Sequence, residues 1–232
     1  MTVMRAEQAR AFWRALVDNA AHLVDDSALL AMTSPARSQS LLVLAQEELG
    51  KAVWVYNAFE ASWSSGRNDE LAVSELGKGA RDHLAKFMEA YKYGDDLDHF
   101  WGDYSSMGDF PDSNDPEDWK AWAQERHEQA REASREANAA KQAGFYVDVT
   151  GSGAFKSPTD IDIPHLADQR AFVAGVIEML LIQDHVRMKH QGLTYDSTHA
   201  TQARLLRHAH PEYFEDAGDD SGSDCTPRSS AG

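Results

Sequence analysis

The chain has 232 residues, 42% hydrophobic and 26% charged, which suits one substantial core or one domain with appendages. Its formal net charge of −16 repels phosphate backbones and anionic bilayers, so binding to either is disfavoured unless basic groups are concentrated locally. No apolar run approaches the roughly 18 residues of a membrane span. Cys225, the only cysteine, lies in a polar tail; it cannot form an intrachain disulfide, and it argues against thiolate metal sites and a cysteine nucleophile. The N-terminus reads as a helix with polar breaks, not as a signal peptide, so a cytoplasmic location is expected.

A first helix is expected over Arg5–Met32, with Phe12, Leu16, Leu23 and Leu30 along one face and Asn19 and Asp26 within that face. Thr33-Ser34-Pro35 breaks it: a capping residue, then proline in the first turn of the next helix. The second helix runs from Pro35 to about Trp63, and so short a connection predicts an antiparallel hairpin. Leu41, Leu44, Ala45, Ala52, Val55 and Phe59 share its apolar stripe. Glu48 falls in the middle of that stripe and Glu47 well to one side, with Lys51 in reach of either carboxylate. Leu71–Leu76 reads as a short helix. A third long helix starts near Ala80 on Leu84, Phe87, Met88 and Tyr91, flanked by His83 and Lys86, and extends past Gly94 towards Trp101.

Asp103–Pro116 reads as a loop. Pro116–Lys141 is a helix of alternating charge with a thin Trp and Ala face, read as solvated or partner-facing. Gly144–Thr150 is the only strand-like stretch, too short to build a sheet alone. Pro164–His190 is the last core helix; Val173, Val176, Ile177, Leu180, Leu181 and Met188 face inward and Asp184 projects into that face, with Arg187 three residues on. Thr198–His210 reads as a short helix, and Pro211–Gly232 as an acidic, disordered tail. The predicted fold is all-α: a bundle of about five long helices with a short extended insertion near 145–150. The predicted units are a helical domain over 1–192 and an extension over 193–232.

Four motifs occur in order: Asn19-Ala20 with Leu23 and Asp26–Leu30; Glu47-Glu48-Leu49-Gly50-Lys51; Asp82-His83 with Lys86; and Phe145-Tyr146-Val147-Asp148 with Pro158. Together, over about Arg14 to His190, they resemble the AbiV family of abortive-infection (phage-defence) proteins. The resemblance implies an all-helical fold of the HEPN group (higher eukaryote and prokaryote nucleotide-binding domains). It also implies a toxin-like role in arresting growth or protein synthesis in phage-infected bacteria, with a phage-encoded protein as activating partner. HEPN ribonucleases usually carry an arginine and a histidine with four to six residues between them. Only Arg204 and His210 fit that spacing here; they lie outside the matching region, and a helix would splay them by roughly 120°.

The inward or flanking polar residues are Asn19, Asp26, Glu48, Lys51, His83, Lys86, Asp184 and Arg187, expected to converge from four helices into one interior cluster. A carboxylate on a buried stripe is costly unless paired. One reading of the cluster is a satisfied network that fixes helix register. A second is acid–base chemistry on a phosphodiester of RNA or on a nucleotide. His83 would move the proton, Glu48 would orient it, and Lys51 or Lys86 would stabilise negative charge. A third is a metal site drawn from Glu48, His83, Glu178 and His185, although no Glu-x-x-His spacing of the di-iron type occurs. A fourth makes the protein a non-enzymatic adaptor acting through Trp119, Trp122, Tyr146 or the charged helix. No cofactor or bound metal is assigned. A homo-oligomer fits both the enzyme and the adaptor readings.

Overall fold

The computed structural model describes residues 2–78, 82–95, 111, 113–149 and 151–214. Seven helices are found among them: α1 (Ala6–Leu30), α2 (Pro35–Ser65), α3 (Glu75–Lys78), α4 (His83–Gly94), α5 (Pro116–Phe145), α6 (Leu166–His190) and α7 (Thr198–Ala209). The strands are short: β1 (Thr2–Arg5) pairs antiparallel with β2 (Glu70–Val73), and β3 (Asp148–Val149) with β4 (Phe155–Lys156). The all-α class holds. The expected helix over Leu71–Leu76 is corrected to strand β2 followed by α3, because the N-terminal residues supply β2 with a pairing partner that local sequence does not announce. The strand-like stretch is also displaced. Helix α5 continues through Phe145, and pairing begins only at Asp148. The third helix beyond Asp95, most of the loop to Pro116, Thr150, Cys225 and the tail from Glu215 lie outside the described residues.

Helices α1 and α2 form the expected antiparallel hairpin. At its tight end Ser27 and Ser38 are hydrogen-bonded hydroxyl to hydroxyl at 2.8 Å; at its far end the Trp63 indole N–H donates to Ala6 O at 2.9 Å. The α1 face turned inward is Trp13, Leu16, Val17, Ala20, Ala21, Val24 and Ser27. Its centre is turned by about one residue from the expected Phe12–Leu16–Leu23–Leu30 stripe, of which Leu16 is buried and Leu23 packs against the core. Phe12, Asn19 and Asp26 are therefore exposed. Trp13 and its small neighbours decide the phase, since they let α2 approach closely and fill the gap with an indole.

Helix α2 is packed by α1, α4, α5 and α6, so Val53, Trp54, Val55 and Tyr56 are all buried although they point around the whole helix. Two glycines allow the closest approaches. A Cβ on Gly50 would lie 1.9 Å from the backbone carbonyl oxygen of Lys86 on α4. One on Gly144 of α5 would lie 2.3 Å from Ala36 O and 2.0 Å from Ser40 Oγ on α2. Ser40 closes this second junction by donating to Ala36 O and standing 3.1 Å from Lys141 O. Asp82 and Asp115 cap the starts of α4 and α5, accepting from Ala85 N and Glu117 N.

Because backbone cannot move aside as a side-chain tip can, Gly50→Ala should destabilise the fold by about 3 kcal/mol. Urea denaturation should show it as a lowered midpoint, whereas Gly66→Asn, at a left-handed helix end with open space around it, should change stability by less than about 1 kcal/mol.

Candidate functional site

The charged centre forms at Glu47, which is 3% exposed. Its Oε2 accepts from His83 Nδ1 at 2.6 Å and pairs with Lys86 Nζ at 3.1 Å; its Oε1 pairs with Lys141 Nζ. An ionised carboxylate only accepts, so His83 carries its proton on Nδ1 here, and Nε2 has no partner among the described residues. The His83 side chain is 54% exposed, while Lys86 and Lys141 are buried. Burial by itself would raise the Glu47 pKa. Hydrogen bonds from Lys141, His83 and Lys86, with the charge of Lys86, outweigh it and hold the carboxyl below its ordinary range. Two lysines against one carboxylate leave one net positive charge beneath a solvent-facing imidazole.

The convergence follows from the glycine junctions. Gly50 lies one turn after Glu47 and draws the α4 backbone in at Lys86; Gly144 lies one turn after Lys141 and draws α5 in. Glu48, expected at the centre, instead pairs with Lys51 at 2.7 Å in a part-exposed contact, with the two side chains 22% and 18% exposed. The expectation is corrected by one residue: α2 is buried nearly all round, so its apolar pattern does not fix which of two adjacent glutamates points inward. Of the expected residues, His83 and Lys86 reach the centre. Glu48 and Lys51 form their own pair, and Asn19 and Asp26 are exposed on α1.

Asp184 and Arg187 belong to a different cluster, so the eight residues do not form one site. Asp184 is fully buried; Arg10 of α1 clasps it through both terminal nitrogens at 2.8 and 2.7 Å, and Arg187 pairs with it at 2.9 Å. Arg10 also pairs with Asp196 at 2.9 Å. Burial would raise the Asp196 pKa, but the hydroxyl and backbone N–H of Thr198, with Arg10, bring it down to about 2.

A third network fastens α7. His185 is buried, not flanking; its Nδ1 lies 2.8 Å from Gln202 Oε1 and its Nε2 2.9 Å from Thr198 Oγ1. Glu178, also buried, accepts from His210 Nε2 at 2.8 Å. The residues weighed for a metal are thus divided between two places, Glu48 and His83 near α4, Glu178 and His185 against α7. The Arg204–His210 pair is divided as well: Arg204 binds Asp18 and Asp25 of α1 at 2.9 and 3.2 Å, while His210 turns to α6.

Sequence reasoning missed Glu47, Lys141 and Arg10. Arg10 gives no local signal, since its partners are more than 170 residues away. Lys141 does give one: Glu47-x-x-Gly50 and Lys141-x-x-Gly144 share a charge followed one turn later by a glycine, marking close packing beside a buried ion.

The family model for AbiV, of the HEPN group, matches residues 8–178. This span includes Glu47, His83, Lys86 and Lys141 and ends before α7. No curated protein matches the chain, and no solved structure does. Among the described residues no helix is long and apolar enough to cross a membrane.

Removing the carboxylate that pairs with two buried lysines strands their charge, so Glu47→Gln should cost about 3–5 kcal/mol in urea unfolding at neutral pH. Glu48→Gln should cost less than about 1 kcal/mol, because its pair is part-exposed. The Glu47 pKa is lower folded than unfolded, so its contribution is complete above the ordinary carboxyl range and is lost as pH falls through the folded value. The stability gap between Glu47→Gln and the parent protein should therefore shrink below about pH 4; a gap unchanged by acid would contradict this.

Proposed function

The chain belongs to the AbiV family, a family of abortive-infection, phage-defence proteins, and from that premise we propose that it is an effector arresting growth or translation by cutting RNA at the Glu47–His83 centre. What supports the reading is the His83 imidazole, which is held through Nδ1 by a buried carboxylate and has its Nε2 without a partner among the described residues. In this geometry Nε2 takes the proton from a ribose 2′-hydroxyl as its oxygen attacks phosphorus, and the 5′-oxygen of the next nucleotide leaves. Glu47 fixes the tautomer and stabilises the imidazolium that forms. Lys86 and Lys141 are locked on Glu47 and act as positioning residues; the excess positive charge they provide favours an approaching phosphate locally in an otherwise acidic chain. A phage-encoded protein is the proposed trigger and the bacterial cytoplasm the proposed site of action.

An adaptor reading has its own observation. Tyr146, Val147, Val149 and Phe155 are 63–75% exposed around the β3–β4 hairpin, a concentration of apolar surface of the kind that contacts partners.

Expression in bacteria, with assay of the purified protein on cellular RNA, separates the two. His83→Ala should abolish cleavage and toxicity, with circular dichroism and melting temperature retained because the ring is half exposed. Val149→Ser with Phe155→Ser should leave cleavage intact. Toxicity that survives His83→Ala and is lost in the hairpin variant would overturn the ribonuclease reading.

A further inference from the structure

A cleft of about 290 Å³ lies between α5 and α6, with α2 and α4 beneath it. Glu47, His83, Lys86 and Lys141 do not line it, so it is separate from the charged centre. Leu42, Val43, Phe87 and Val173 make a buried apolar floor, and Ala133 and Ala137 keep the α5 wall shallow. The α6 wall is the Phe172 ring, which is 44% exposed. That ring is seated on α4: a Cβ on Gly94 would lie 3.2 Å from its Cζ, so the ring edge rests where α4 has no side chain. Phe87 is backed in turn by Tyr91, with ring centroids 6.4 Å apart and planes 28° from parallel. The cleft thus holds two aromatic surfaces fixed by packing.

The polar groups around these surfaces are mostly amides. Gln39 Nε2 donates to Gln169 Oε1 at 3.1 Å, which leaves the carbonyl of the first and the amino group of the second open to a ligand. Gln46 is half-buried and has no hydrogen-bond partner among the described residues, so both ends of its amide are open. Glu136, exposed on α5, is the one ionised residue among the described lining residues, and none of them is basic. These properties narrow the ligand. An anion finds no counter-charge and meets Glu136. An aliphatic ligand would fill the floor but shut the amides away from water unpaired. A flat, uncharged ring with donors and acceptors on its edge satisfies both surfaces, and the cleft has room for about one such ring system. An amide open at both ends matches adenine in particular, whose N6 amino group donates to Oε1 while N7 accepts from Nε2.

We propose that this cleft takes a single adenine base, either of a free nucleoside or of an unstacked strand. Phe172 stacks against one face of the ring, Gln46 bonds its edge at N6 and N7, and Glu136 at the mouth keeps phosphate outside.

Calorimetric titration of the full chain with adenosine should give one saturable site. Phe172→Ala should bind about tenfold more weakly, with the melting temperature close to that of the parent because the ring is partly exposed. Inosine, which carries a carbonyl oxygen where adenosine has the amino group, should bind about fivefold more weakly than adenosine to the parent and equally with it to Gln46→Ala. A 2′-O-methyl oligoadenylate has no free 2′-hydroxyl and cannot be cut at one. If it binds tighter than adenosine, the base belongs to a strand; the reverse order assigns it to a free nucleoside, and both support the site. Absence of saturable binding by either probe, equal affinity in Phe172→Ala, inosine binding the parent as tightly as adenosine, or an adenosine preference retained in Gln46→Ala would each overturn the proposal. His83→Ala should bind adenosine unchanged, so failure here leaves the ribonuclease reading standing, and failure of that reading leaves this site standing.

Discussion

One carboxylate sits where three helices meet, and the other charges are arranged around its burial. Glu47 would be prohibitively costly in the core alone, and Lys86 and Lys141 would be as well. Each is tolerable only because the others are present, so α4 and α5 can seat on α2 in one register. A slip of one residue along α2 would strand at least one ion. The glycines at 50 and 144 permit the approach, and the ions then make it specific. Apolar contact supplies most of the packing energy but would tolerate several neighbouring registers; the ion triad does not.

The order and extent of the helices could be read from the sequence because caps, breaks and long apolar patterns are local. Ser34-Pro35 and Pro116 mark helix starts where they are found, and the helix expected near Ala80 starts at His83. Rotation about each helix axis was harder to read. On α1 the expected face was one residue from the buried one, exchanging Asn19 and Asp26 for Ala20 and Ser27. On α2 the same one-residue step exchanged Glu48 for Glu47. The cause is physical: alanine and glycine carry little hydrophobic signal, yet they mark the closest helix contacts, while large residues such as Phe12 can stay exposed at modest cost. A helix surrounded by four others has no polar face to fix its phase.

Long-range partners were not legible. Lys141 ends a helix whose alternating charges, at Arg131-Glu132 and Arg135-Glu136, read as solvated, and Arg10 has no apparent partner near it in sequence. Strand β2 read as helix because its pairing partner lies at the other end of the hairpin. In each case the deciding contact joins residues far apart along the chain, where no periodicity registers it. A local trace existed only for Lys141, in the glycine one turn on.

The two charged centres, Glu47 near the middle of α2 and the Asp184 cluster beside Trp63 at its end, differ in design. At Glu47 the cations outnumber the carboxylate by one, and the imidazole is the single member of the set that reaches solvent, so proton transfer is confined to one atom, His83 Nε2. At Asp184 the ions are arginines, which stay charged at any physiological pH and cannot act as acid or base. The chemistry of the residues therefore divides the labour: the first centre is suited to moving a proton, the second to fastening α1 to α6. The Trp63 ring, with Arg10 over it and Tyr56 and Phe59 beside it, is the contact by which the Asp184 cluster meets the helix that carries Glu47.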